Sequence, residues 1–306
     1  MEKNIRKSNV LRVLEIAGVF VLVFLLNVVW STVVTFVYTI MLAIKGVNIT
    51  DVLALTEKLY SAPDFLMFVS MYNLLAIGIV ALFWKLIDKQ NIKELGFART
   101  NKVLHQLLSG ILAAIVAIAA VIIFGSLFKI ITFSGYGLTI FGTRQIIWAL
   151  VIGAITFLMV GFGEEAVYRS YIQNHLVKMI GSRYGLIVAA LIFTVAHLFT
   201  YAKPLDFLDV FLAGIILGYA FLLTKSIYLP ASFHFMWDFL QVNIFRIQDY
   251  SFYKGPVLII FNNTGDLIIN KYNFGNQLEV IFVIVEIIIL ILMYTCRNKL
   301  SRLAQA

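Results

Sequence analysis

The sequence predicts an all-α fold, a polytopic integral membrane protein with about eight transmembrane helices in one bundle. Three observations carry this. Hydrophobic residues fill 61% of the 306 positions and the mean hydropathy is +0.95, which leaves too few polar side chains to cover a water-soluble globule. Apolar runs of about 20 residues, long enough to cross a bilayer as helices, recur along the chain. The 24 basic residues are dispersed between those runs, so the net charge of +8 sets membrane orientation and forms no nucleic-acid patch.

In chain order the expected spans are 13–43, 64–86, 104–127, 145–168, 184–201, 206–224, 228–246 and 277–296. The first is long enough to tilt or protrude, and no small-residue cleavage pattern follows it, so it reads as a retained span. The fifth and sixth are short and separated only by Tyr201-Ala-Lys-Pro-Leu205. Longer connections fall at 44–63, 87–103, 128–144 and 247–276, the last an external cap. No repeat or soluble domain is visible, and 1–306 reads as a single membrane domain. With the N-terminus inside, sixteen of the 24 basic residues, Arg169 and Lys178 among them, fall on the cytoplasmic side. This favours both termini in the cytoplasm of a cell membrane. The Lys, Ile, Asn and Phe bias suggests a bacterial owner. A single cysteine, Cys296, excludes an internal disulfide framework.

Polar residues inside the spans mark the candidate site. Gly161-Phe-Gly-Glu-Glu-Ala-Val-Tyr-Arg169 closes the apolar run 146–160 with two adjacent carboxylates, each costing about 2.5–3.5 kcal/mol near the bilayer centre. Neighbours on a helix point about 100° apart, so Glu164 and Glu165 cannot face one site together. Glu165 and Arg169 stand at i and i+4 with the acid first, the order that pairs well. That leaves Glu164 to face the bundle interior as a general base. His197 lies inside the fifth span. His234 and Asp238 stand at i and i+4 in the seventh, so the carboxylate can accept the imidazole N–H. One Glu and two His on different helices can activate a water and stabilise an oxyanion. The same set, Glu164, His197 and His234, could instead hold a divalent metal such as zinc. No His-Glu-x-x-His pattern occurs, which excludes a single-helix zinc site. The expected spans put Glu164 and His234 in the inner half of the membrane and His197 toward the outer half. A deeper fifth helix or a mid-membrane site would reconcile them.

Outside this set, Asn27 and Asn73 in the first two spans, and Glu279 and Glu286 in the last, read as interhelical hydrogen-bond partners. Glu15, His105 and His175 read as interfacial, and Trp30, Trp84 and Trp148 as interfacial or near-interfacial anchors.

Glu164-Glu165-x-x-x-Arg169, Phe193-x-x-x-His197 and His234-x-x-x-Asp238 resemble the three motifs of the CAAX protease and bacteriocin-processing family, also called Abi or CPBP proteins. The resemblance covers roughly 145–246, the catalytic core. It implies an eight-helix intramembrane endopeptidase in which Glu164 and His197 activate water. His234 and the residue four after it would support the oxyanion, and Glu165 with Arg169 would hold the site. Metal use is left open by the sequence. Two positions depart from the family pattern: Ser170 stands where Gly is common, and Asp238 where Asn is usual. Ionised Asp cannot donate to an oxyanion, so Asp238 must be protonated, orient His234 or help bind a metal.

The expected partners are membrane lipid and a peptide or membrane-protein substrate entering laterally or from the cytoplasmic face, in peptide maturation, bacteriocin immunity or envelope regulation. The main rival is a non-proteolytic scaffold or immunity protein acting on a partner envelope protein. A transporter is disfavoured by the absence of a repeated half.

Overall fold

The computed structural model describes residues 9–97, 101–198, 200, 203–247, 253, 255–263, 265–269 and 272–302. Its helices are α1 (Asn9–Ile44), α2 (Val52–Ser61), α3 (Pro63–Ser70), α4 (Tyr72–Leu86), α5 (Val103–Leu127), α6 (Gly137–Phe141), α7 (Thr143–Glu165), α8 (Asn174–Ala196), α9 (Pro204–Thr224), α10 (Tyr228–Phe239), α11 (Gln277–Thr295) and α12 (Arg297–Ser301). Two π-helical segments, Ala166–Gln173 and Leu240–Phe245, continue α7 and α10. Among the described residues six helical runs are long and apolar enough to cross a membrane. The chain is an all-α polytopic membrane protein, as its sequence predicts.

The helices group differently from the eight expected spans. The second span is α3 and α4 joined at Met71, within the run Pro63–Leu86. The expected fourth and fifth spans lie in one run, Thr143–Ala196, broken at Gly181 (φ 81°, ψ 165°). That conformation is open to glycine and costly for other residues. The expected end at 168 is therefore overturned, because the chain winds on through the π-segment to Ile180. Position 201, where the fifth span was expected to end, lies outside the described residues.

The continuation removes the depth conflict. At 1.5 Å per residue, Glu164 stands roughly 25 Å above the Gly181 break, and the return helix climbs about 22 Å from there to Ala196. His197, the C-cap of α8, arrives at the level of Glu164. It also changes the surroundings of three residues expected near the water interface. Arg169 is buried within the protein, 1% exposed. His175 is buried and paired with Asp88 at 3.2 Å. Trp84 is fully buried with its indole N–H donating to the Asn91 carbonyl at 2.9 Å. The extended helix packs beside α4, with the Tyr171 and His175 rings against Trp84, while the Arg169 guanidinium lies over Phe193 of α8.

Strands appear where only connections were expected. β1 (Ile131–Tyr136) pairs antiparallel with β2 (Ile259–Asn263), Ile131 opposite Asn263, with an irregularity between Phe133 and Gly135. β3 (Asp266–Ile269) and β4 (Tyr272–Asn276) form a second antiparallel pair. Near this cap the Lys203 ammonium donates to Asp266 at 3.0 Å. The hydrogen bond and charge of Lys203 hold the Asp266 carboxyl below its ordinary value. Partial burial pulls the Lys203 ammonium down, while the Asp266 hydrogen bond and charge more than restore it, so it ends raised. A lowered acid loses its contribution as pH falls through its folded value, and a raised base loses its own as pH rises through its folded value. The contact is expected to persist from about pH 4 to about pH 10. The protection factor of the Leu267 amide, the intrinsic exchange rate at each pH divided by the observed one, checks it: it is expected to stay level across that range and to fall only beyond the two ends.

Beside two smaller clusters around Ala231 and Val257, two large apolar ones form most of the core among the described residues. One joins Ile118 and Val121 of α5, Phe233 and Trp237 of α10, and Phe282 of α11. The other joins Val19 of α1, Val80 and Trp84 of α4, Tyr171 of the first π-segment and Ala189 of α8. Between them α7 and α10 touch backbone to backbone. A Cβ on Gly161 would lie 2.7 Å from the Ala231 carbonyl oxygen and 2.9 Å from the Phe235 nitrogen. Backbone atoms of a packed helix cannot yield that space. Gly161→Val is expected to destabilise by about 1–3 kcal/mol, read as a lowered melting temperature of the detergent-solubilised protein.

Candidate active site

All six sequence-predicted residues converge on the seam between these clusters. Glu164 and Glu165 end α7, Arg169 lies in the π-segment, His197 caps α8, and His234 and Asp238 lie on α10. Glu165 is completely buried and its Oε2 sits 3.1 Å from Arg169 Nε, the pairing the spacing predicts. Its other oxygen, Oε1, lies 3.0 Å from His234 Nδ1, a contact no local spacing announces. His234 Nε2 in turn lies 3.4 Å from Asp238 Oδ2. The chain Arg169–Glu165–His234–Asp238 alternates charge along its length. It is complete only when both His234 nitrogens carry protons, because the flanking oxygens accept. This geometry fits one of the three roles open to Asp238, orienting His234. The 3.4 Å contact is long for a hydrogen bond, so the same N–H can be shared with an oxygen in the adjoining cavity.

Phe193 ties the site together. The Arg169 guanidinium carbon lies 4.3 Å from its ring centroid, a cation–π arrangement, and its ring packs edge-on to His234 at 6.2 Å. Its carbonyl oxygen lies 2.8 Å from His197 Nδ1. A carbonyl can only accept, so Nδ1 carries a proton, and the neutral ring presents a lone pair at Nε2. That Nε2 faces Glu164 Oε2 across 3.9 Å. Such a gap is too long for a direct hydrogen bond and suits a bridging water.

Glu164, His197, His234 and Asp238 all line one cavity of about 420 Å³, within the size range of small-molecule and peptide-side-chain pockets. Its far walls come from α9 and α10, with Val210, Leu217 and Trp237. Among the described residues no three His, Cys, Asp or Glu groups, Glu164, His197 and His234 included, stand together as a preformed metal-ligand set.

Several polar neighbours escaped sequence reasoning. Asp209 of α9 lines the cavity and hydrogen-bonds Glu286 of α11, while Asp206 does the same for Glu279. Two carboxyls can hydrogen-bond only by sharing a proton. These are the interhelical partners expected for Glu279 and Glu286, with acids on both sides. The signal was present as two acids three apart near the start of the sixth span. Tyr72 and Tyr168 lie within Coulombic reach of Glu164, with nothing in the local sequence to say so. Ser170, which replaces the family's common Gly, is fully buried, and its hydroxyl lacks a hydrogen-bond partner among the described residues. Ser170→Ala is expected to stabilise by about 1 kcal/mol, visible as a raised melting temperature with the site intact.

Residues 146–240 match the family model described as Type II CAAX prenyl endopeptidase Rce1-like. The match spans all six site residues and bears out the resemblance carried by the three motifs. Neither a curated protein nor a solved structure matches the chain.

Proposed function

From a segment, 146–240, of the Rce1-like, CPBP type, we propose an intramembrane endopeptidase that hydrolyses a peptide bond in a membrane-associated peptide or protein. The observation that carries this reading is the 3.9 Å gap between Glu164 and His197 Nε2 at the wall of a cavity inside the bundle. A water in that gap gives hydrogen bonds to both acceptors. Glu164 takes one proton, and the water oxygen attacks the peptide carbonyl carbon. The oxyanion forms beside His234, whose Nε2–H is held toward the cavity by Glu165 and Arg169 from behind. The C–N bond then breaks, and the proton on Glu164 passes to the departing amine, leaving an amine and a carboxylic acid whose remaining proton His197 Nε2 takes as the carboxylate departs. No step passes through a metal, so hydrolysis is expected to survive phenanthroline. A loss that added zinc restores would replace this mechanism with a metal-dependent one.

The test is a comparison of membrane peptidomes from cells carrying wild type or Glu164→Ala. A peptide terminus produced only by wild type names the substrate, a prenylated C-terminus being one class to look for. Identical peptidomes, with Glu164→Ala still complementing a deletion strain, would put a scaffold or immunity role in its place.

A further inference from the structure

The Glu164–His197 pair is reached from two cavities. The large one extends from it toward α9 and α10. A second, of about 100 Å³, extends the other way, to Phe20, Val23 and Phe24 of α1. Both meet at Asn27, Tyr72, Glu164, His197 and Thr200. Only the smaller one is also walled by Tyr168. At about 30 Å³ per molecule it has room for about three waters and none for a peptide segment. Its lining is polar enough to hold them: an amide, two phenols, a hydroxyl, an imidazole and a carboxylate meet there. The Glu164 Oε2 atom is buried without a hydrogen-bond partner among the described residues.

We infer that the small cavity is the water compartment of the reaction, and that Asn27, Tyr72 and Tyr168 are water-positioning residues. The inference rests on the peptidase reading. A peptide filling the large cavity displaces solvent on the α9–α10 side, yet each turnover consumes one water. That water gives a proton to Glu164 and its oxygen to the carbonyl carbon, and it must be replaced beside the same pair. A separate reservoir toward α1 replaces it while substrate stays in place. It also gives Asn27, a polar residue in a lipid-crossing helix, a task beyond its contact with Ser31 at 3.0 Å.

Two measurements test this on the full chain in liposomes. The first is independent of activity. In a Cys296→Ser background, Asn27→Cys and Val29→Cys are cyanylated and their nitrile stretches compared. Val29 is 61% exposed on the same helix and serves as the lipid-facing reference. A higher, water-bonded frequency at 27 and a hydrocarbon-like one at 29 is expected; the same hydrocarbon-like frequency at both overturns the compartment. The second uses the peptide found by the peptidome comparison. Tyr168→Phe and Asn27→Leu are expected to lower kcat at least tenfold with KM unchanged, and Asn27→Gln to recover most of it. Unchanged kcat, or an effect confined to KM, overturns the positioning role while Glu164-dependent cleavage by wild type still stands. If wild type and Glu164→Gln yield the same peptides, the peptidase reading fails, and this inference fails with it.

Discussion

Glu164→Gln is expected to lower peptide hydrolysis by about 10³-fold or more while leaving the fold unchanged. General-base catalysis contributes about 10²–10⁴, and the glutamine keeps the shape and the contacts with the cavity wall while losing the ability to take a proton. The carboxylate is not part of the Arg169–Glu165–His234–Asp238 chain, so its neutralisation leaves no buried charge without a partner. The measurement is the initial rate of terminus formation, alongside a melting curve of the purified variant. Equal rates for wild type and Glu164→Gln would remove Glu164 from the chemistry. A collapsed melting temperature would instead make it structural.

Arg169→Ala is expected to do the opposite, costing about 3–5 kcal/mol of stability as well as activity. Glu165 is completely buried and Arg169 nearly so. Removing the guanidinium strands a carboxylate in a low-dielectric seam and empties the space over Phe193. Replacing both partners, Glu165→Leu with Arg169→Leu, is expected to recover most of the stability, because the cost lies in the unpaired charge more than in the lost pair. Activity should not return, since His234 then loses the acceptor on Nδ1. Melting temperatures of the two single variants and the double variant, set against their cleavage rates, separate these effects. A double variant as unstable as either single one would contradict the assignment.

The contrast between these variants shows what the sequence could reveal. Helix periodicity alone assigns Glu165 to Arg169 and leaves Glu164 for the cavity, because both statements depend on residues a few positions apart. The His234–Asp238 contact is legible for the same reason. The bond from Glu165 to His234 joins positions 69 apart, and no local pattern encodes a contact between two helices that are distant in the chain. The sequence leaves the level of His197 relative to Glu164 open, because polarity alone does not mark where α7 and its continuation end. Gln173, Asn174 and His175 look like an exit into water. They are instead absorbed by packing: Gln173 donates to the Gly218 carbonyl at 2.8 Å, and His175 meets Asp88. Polar residues mark a membrane boundary only when nothing inside the protein satisfies them. The paired strands at 131–136 and 259–263 escaped for a related reason, since each needs its distant partner before it is a strand at all.

The π-winding of Ala166–Gln173 bears on how this chain can change length over evolutionary time. A π-turn holds one residue more than the α-turn it interrupts. Deleting a single residue there is expected to return the segment to α-winding while the helix beyond keeps its face toward Glu164 and Glu165, because the wide turn is what absorbs the extra residue. The Gln173–Gly218 and His175–Asp88 contacts would then survive the loss. A deletion in the α-wound part of α7, which has no wide turn to give up, would instead rotate everything beyond it by about 100°. An insertion in the exposed connection between α1 and α2 rotates nothing that touches the site. Natural length variation should therefore gather in that connection and in the eight residues that follow Glu165, and be purged from the α-wound helix before them.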